Sequence, residues 1–246
     1  MDRSIPKRLR KEPLLEALWE IRFSSDRDSV VELLPGLIYQ AMGAVYSKIE
    51  RLPASNLPLP ALQQDATLRY VPTIRLEASP YSIQVGEHVI SLSCRRPYTG
   101  WPEFASKIRE LAEILKGTNL LTRPERFSLK YIDIIPLVHR PSLEPLQVSL
   151  RLGTHELTTN PVHLRTELRE NGFLHIVQIA SPAQAVLPMV GSFEGVLLDI
   201  DTIYQHKSGE FWSDFLDRLD RAHELGKKLF FHLLTPETID HLEPEY

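Results

Sequence analysis

Asp199 and Asp201 stand two apart in the run Leu198-Asp199-Ile200-Asp201. On a strand, residues two apart share a face, so both carboxylates point one way while Val196, Leu198 and Ile200 point the other. Two acids on one face can hold a hard cation such as magnesium or manganese, the start of many phosphoryl-transfer sites. A metal-dependent phosphoesterase or nucleotide-processing enzyme built this way needs another ligand, for which Asp133 and Glu167 are candidates, and an arginine such as Arg165 to position phosphate. The competing assignment pairs the acids with Arg22, Arg69, Arg75, Arg165 or Arg169 on neighbouring strands, where facing opposite charges stabilise by about 0.2–1 kcal/mol. The acids then belong to a charged sheet face of mixed sign, which suits a protein partner of complementary charge. This second assignment is preferred: a non-enzymatic interaction module with no cofactor, whose partner-binding set is Arg22, Arg69, Arg75, Arg165 and Arg169. Tyr98 and Trp101 either join that set as an aromatic hot spot or pack over the start of a helix.

Other chemistries find little support. The eleven glycines are scattered at turns and caps rather than gathered into a phosphate loop, and there is no serine-nucleophile motif. The nine histidines lack metal-ligand spacing, and Cys94, the single cysteine, rules out an intramolecular disulfide. Arg218 and His223 have the spacing of the arginine–histidine motif of HEPN ribonucleases, but those are all-helical bundles and this chain is rich in strands, so the match is taken as coincidence. A net charge of −4 provides no global attraction to nucleic acid. Nucleic-acid binding through Arg3, Lys7, Arg8, Arg10, Lys11 and the sheet arginines therefore ranks last. The basic start itself is read as a solvated tail, or as an arm touching an acidic partner, and it lacks the apolar core of a secretory signal. No apolar run approaches the roughly 20 residues that span a bilayer, and a cytoplasmic protein is expected.

These side chains need elements to hold them. Leu14–Phe23 alternates as a strand, with Ser24, Ser25 and Asp26 supplying capping chemistry for an amphipathic helix from Ser29, kinked at Pro35. A proline-broken loop over 52–64 precedes a strand over 68–78. Residues 81–94 read as a returning strand with a turn at Gly86, then Trp101-Pro102-Glu103 opens a helix that Gly117 would stop. A strand over 127–137 completes strand, helix, strand, strand, helix, strand, the split βαβ order of ferredoxin-like units. The second half reads as strands over 146–152, 162–169, 174–180 and 195–204, with Asn171-Gly172 as a hairpin turn. A helix follows over 208–223, ending near Gly226, then a strand over 228–233 and a short helix opened by Thr235-Pro236. The fold class is thus α+β, largely antiparallel with helices packed on one face. The expected halves are 1–138, ferredoxin-like, and 146–246, strand-rich with a C-terminal helix, with one sheet shared between them as an equal alternative.

Taken in order, Pro13-Leu14-Leu15-Glu16-Ala17 through Phe23, Ser82-Ile83-Gln84-Val85-Gly86, Tyr98-Thr99-Gly100-Trp101, Leu129-Lys130-Tyr131-Ile132-Asp133 and Leu197-Leu198-Asp199-Ile200-Asp201 resemble a sporadically distributed, uncharacterised bacterial protein family of about this length. Lys130-Tyr131 stands where that pattern has Arg-Tyr, a conservative departure. The resemblance implies a defence or mobile-element setting. Within that setting the preferred interaction module is expected to be an accessory, sensor or neutralising subunit, with a nuclease, NTPase or toxin encoded nearby as its partner. The resemblance assigns no catalytic residue.

Overall fold

The computed structural model describes residues 4–27, 29–43, 45–57, 65, 68–137, 141–187, 190–207 and 209–246. Its strands are β1 (Arg8–Leu9), β2 (Leu14–Ser24), β3 (Lys48–Arg51), β4 (Ile74–Ala78), β5 (Tyr81–Val85), β6 (Val89–Arg95), β7 (Arg123–Pro136), β8 (Arg151–Leu152), β9 (His155–Glu156), β10 (Val162–Glu170), β11 (Phe173–Leu187), β12 (Gly191–Gln205) and β13 (Pro244–Glu245). Its helices are α1 (Val30–Met42), α2 (Trp101–Thr118), α3 (Phe215–Leu233) and α4 (Pro236–His241). The fold is α+β, and its main antiparallel sheet has the order β10-β11-β12-β7-β2-β6-β5-β4-β3. Within it, β7-β2-β6-β5 with α1 and α2 as crossovers is the split βαβ order. The hairpin β3–β4 is inserted between α1 and β5 and lies outside β5.

Two compact units form, and neither is a sequence half. A medial unit takes Glu16–Leu129 and Ile203–Leu219, and a terminal unit takes Met1–Leu15, Lys130–Thr202 and Asp220–Tyr246. The division falls inside long strands rather than at 139–145. In the medial unit the odd residues of β2, Ala17, Trp19, Ile21 and Phe23, are sealed from solvent. The register sets Ala17, Trp19 and Ile21 opposite Cys94, Leu92 and Ile90 of β6. Val30, Leu34 and Ile38 of α1 and Phe104, Ile108 and Leu111 of α2 are buried with them. In the terminal unit Val177, Ile179, Val196, Leu198 and Ile200 pack with Phe231, Leu234 and Ile239. Among the described residues no helix is long and apolar enough to cross a membrane.

Several local expectations are corrected. Residues 68–70 form a turn, and the strand begins only at Ile74. Within 52–64, Pro53–Asn56 is a single 3-10 turn, and residues 58–64 lie outside the described residues. The cap of α1 comes not from Ser24, Ser25 or Asp26 but from Glu87, whose carboxylate accepts from the backbone N–H of Val30 and Val31 at 3.1 and 3.3 Å. Gly117 stays helical, and Asn119, at φ 53°, takes the left-handed position that ends α2. Of 146–152 only Arg151–Leu152 is a strand. The helix expected over 208–223 runs instead from Phe215 to Leu233, absorbing the strand placed at 228–233. Gly226 lies inside it because a Cβ there would come within 3.1 Å of Thr202 Oγ1, so the glycine permits close approach rather than termination. The basic start, from Lys7 onward, is no free tail: β1 pairs with β13, Arg8 and Arg10 both bind Glu245, and Lys11 binds Glu243.

Candidate functional site

Strand alternation divides the medial unit into an apolar face and a charged one. On the charged face, Glu50 lies opposite Arg75, Lys48 opposite Glu77, Ser82 opposite Ser93 and Glu20 opposite Ser91. Arg75 binds Glu50 at 2.9 Å and Glu77 at 3.6 Å, and Lys48 reaches the same two acids. Between these charges and those of β2 lies a strip of buried hydroxyls, with Ser82 and Ser93 sharing a hydrogen bond at 2.9 Å. On β2, Glu20 accepts from Arg22 at 2.7 Å and from Arg126 at 3.1 Å.

A second carboxylate fastens the turn at 68–70 to the same region. Glu125 accepts from the Tyr70 hydroxyl at 2.8 Å, from Arg69 at 3.4 Å and from the Ser24 hydroxyl. The guanidinium of Arg22 sits over the Tyr70 ring, 4.4 Å from its centre. Burial pushes the Glu125 carboxyl up, but the Ser24 and Tyr70 hydrogen bonds and the Arg69 charge outweigh it and hold the group below its ordinary range. Arg22, Arg69 and Arg75 are therefore engaged within the chain, and an incoming acid must displace a carboxylate to reach them. Tyr98 packs edge-on against Phe104 at 6.0 Å, and Trp101 is partly buried as the first residue of α2.

The terminal unit holds the two aspartates. Asp199 is 7% exposed, takes an ion pair from Lys130 at 2.9 Å and accepts from Gln178 at 3.1 Å. Burial raises its pKa despite the ammonium beside it. Asp201 follows on the same strand face. Alternation along β7 places Asp133 on the opposite face from Lys130, and Glu167 is exposed on β10, bound to Arg165 at 3.0 Å. Among the described residues no three His, Cys, Asp or Glu side chains gather as a metal-holding group. The Lys130 ammonium sits against Oδ2 of Asp199.

Two further groups on α3 are separately engaged. Residues five apart on a helix lie about 140° apart around its axis, so Arg218 and His223 do not converge. Arg218 binds Asp214 and stacks over Tyr204, 4.2 Å from the ring centre. His223 Nδ1 shares a hydrogen bond with the Tyr131 hydroxyl at 2.9 Å, and burial, helped by Lys227, depresses its pKa to about 3. The unfolded chain takes that proton near pH 6.5 while the folded chain refuses it to about 3, so stability falls as pH drops through this window. At pH 5 the contribution is about 2 kcal/mol. A chain carrying His223→Gln, which keeps a partner for Tyr131, is expected to show a smaller loss of melting temperature between pH 7 and pH 5 than wild type.

The least committed groups lie on β10. This nine-residue strand is hydrogen-bonded to β11 on one side and is an edge of the sheet on the other. One row of its side chains is His163, Arg165, Glu167 and Arg169, all exposed, and the other includes Leu164, Thr166 and Leu168. Leu168 is 42% exposed, and Arg169 makes no ion pair among the described residues. An edge strand of this kind presents alternate backbone N–H and C=O groups to a partner. A cleft of about 200 Å3 beside Trp212 and Leu216 and one of about 140 Å3 beside Leu146 and Leu157 are both smaller than ordinary small-molecule sites of roughly 300–1,000 Å3.

Sequence reasoning missed Glu20, Glu125 and Tyr70 as the anchors of the arginines, and Lys130 as the counter-ion of Asp199. Signals were within reach for Glu20, which stands two residues from Arg22 on one strand face, and for Lys130, which alternation puts on one face of a strand also bearing Asp133 on the other. No family model matches this chain, and no curated protein matches it.

Proposed function

We propose that the protein is a non-enzymatic interaction module that engages a protein partner along β10. The observation that carries this reading is the open, nine-residue edge with its row of side chains of both signs. Backbone pairing along an edge supplies affinity, and the alternating side chains select among partners. Mixed sign favours a protein of complementary charge over a phosphate backbone, which would call for a uniformly basic row. Arg165 and Arg169 are the members of the sequence-derived set best placed for this role, because Arg22, Arg69 and Arg75 already bind buried or half-buried carboxylates. The resemblance noted above supplies a defence or mobile-element setting, within which the module is an accessory, sensor or neutralising subunit acting on a nuclease, NTPase or toxin.

The test is capture of a stoichiometric partner from cells that encode the protein, compared with a chain carrying Arg165→Glu and Arg169→Glu. The variant is expected to bind at least tenfold more weakly, about 1.4 kcal/mol, while melting at the wild-type temperature. Undiminished capture by the variant overturns the assignment of β10.

A further inference from the structure

Resting on that reading of β10 as a recognition edge, we propose that the strand's partner is a second copy of this chain, paired antiparallel about a two-fold axis at Thr166. A two-fold axis perpendicular to a sheet places a residue opposite its own counterpart and keeps the faces of the two sheets in register. Only a few positions near the middle of β10 can serve. An axis at Arg165 sets Arg165 against Arg165 of the other copy, and an axis at Glu167 sets Glu167 against Glu167 and Arg165 against Arg169. Both registers oppose like charges, which is destabilising.

The axis at Thr166 does the reverse. It sets Arg165 opposite Glu167 of the other copy, twice by symmetry, and the Arg165–Glu167 contact within each strand turns these into a four-charge cluster. On the other face it sets Leu164 opposite Leu168, covering a leucine that is 42% exposed, and brings the two Thr166 hydroxyls together. An axis at Leu168 also opposes unlike charges, Glu167 against Arg169, but it pairs only five residues of β10, whereas the axis at Thr166 pairs all nine. An edge charged with one sign sets like charges opposite in every register of self-pairing, whereas this mixed row leaves a favourable one.

The chain has one native cysteine, Cys94, and it is buried, so introduced thiols report cleanly. Full-length protein carrying Thr166→Cys is expected to form a disulfide-linked dimer under mild oxidation. Leu164→Cys mixed with Leu168→Cys is expected to link across copies, whereas Leu168→Cys alone stays single. By light scattering, wild type shows a concentration-dependent dimer, Arg165→Glu shifts it to the single-chain mass, and Arg165→Glu with Glu167→Arg restores it. A single-chain mass for wild type at its highest soluble concentration, with no link at Thr166→Cys, overturns self-pairing. If that monomer loses a different protein partner on Arg165→Glu with Arg169→Glu, the proposed function stands and only the second copy is excluded. If partner capture is also untouched, both fall.

Discussion

A chain carrying Lys130→Ala is expected to unfold about 3–5 kcal/mol more readily than wild type at neutral pH, the usual cost of removing one partner from a buried ion pair. The Asp199 side chain is 9% exposed, and with the ammonium gone it retains Gln178 as its recorded hydrogen-bond donor. The loss comes mainly from stranding a charge rather than from forfeited attraction. Adding Asp199→Asn should therefore recover most of it, because the neutral amide still accepts from Gln178 and needs no counter-ion. A double-mutant cycle by urea denaturation reads both effects. The pH dependence has a definite sign. Burial already raises the Asp199 pKa, so the folded chain holds a proton at pH values where the unfolded chain has released it, and stability falls as pH rises through the folded value. Removing Lys130 raises that pKa further. The deficit of Lys130→Ala is thus largest near neutrality and narrows on acidification. Magnesium or manganese leaves the melting temperature of the variant unchanged if Asp199 serves the ion pair; a cation that restores it revives the metal-dependent alternative.

What could be read from the sequence and what could not follows from the range of the interactions. The strand Leu14–Ser24 announces itself because its period-two pattern is local, and the hairpin at Asn171-Gly172 because both residues take positive φ, 50° and 85°. Thr235-Pro236 opens α4 as expected, with the threonine accepting from the Thr238 backbone N–H. Glycine misled twice for one reason. Gly117 and Gly226 resemble helix stops in isolation, yet one stays helical while Asn119 ends α2, and the other makes room for Thr202 of β12. No local rule distinguishes a glycine that ends a helix from one that lets it approach a neighbour. The arginines fared unevenly: Arg22 and Arg165 bind acids two residues away on their own strands, but Arg69 lies in a turn rather than on a strand face, and the longer-range contacts were not legible. Arg126 meets Glu20 across 106 positions, and Tyr70 meets Glu125 across 55. Such contacts decide whether a charge is available to a partner. The availability of Arg165 and Arg169 therefore emerges only once the strand order makes β10 an edge.

Trp19→Ala is expected to cost about 3–5 kcal/mol, the range for truncating a large aromatic side chain in a packed core. Trp19 is fully buried at the middle of β2 and lies opposite Leu92 on β6. Its ring meets Phe215 edge-on at 5.8 Å, and Phe215 in turn meets Phe127 at 5.4 Å. Truncation therefore removes the base of an aromatic cluster reaching from β2 to the start of α3, and β-sheet neighbours held by their own hydrogen bonds cannot collapse into the void. Trp19→Phe should behave differently. Among the described residues the buried indole N–H has no hydrogen-bond partner, so phenylalanine keeps most of the apolar contact and removes an unsatisfied donor. Its cost should stay below about 1.5 kcal/mol. Urea unfolding at constant slope separates these values, because a changed slope signals altered compactness rather than altered packing. Equal losses for the two variants would show that the indole makes a bond no aliphatic or phenyl group can replace. A loss below about 1 kcal/mol for Trp19→Ala would mean that the cluster refills the site.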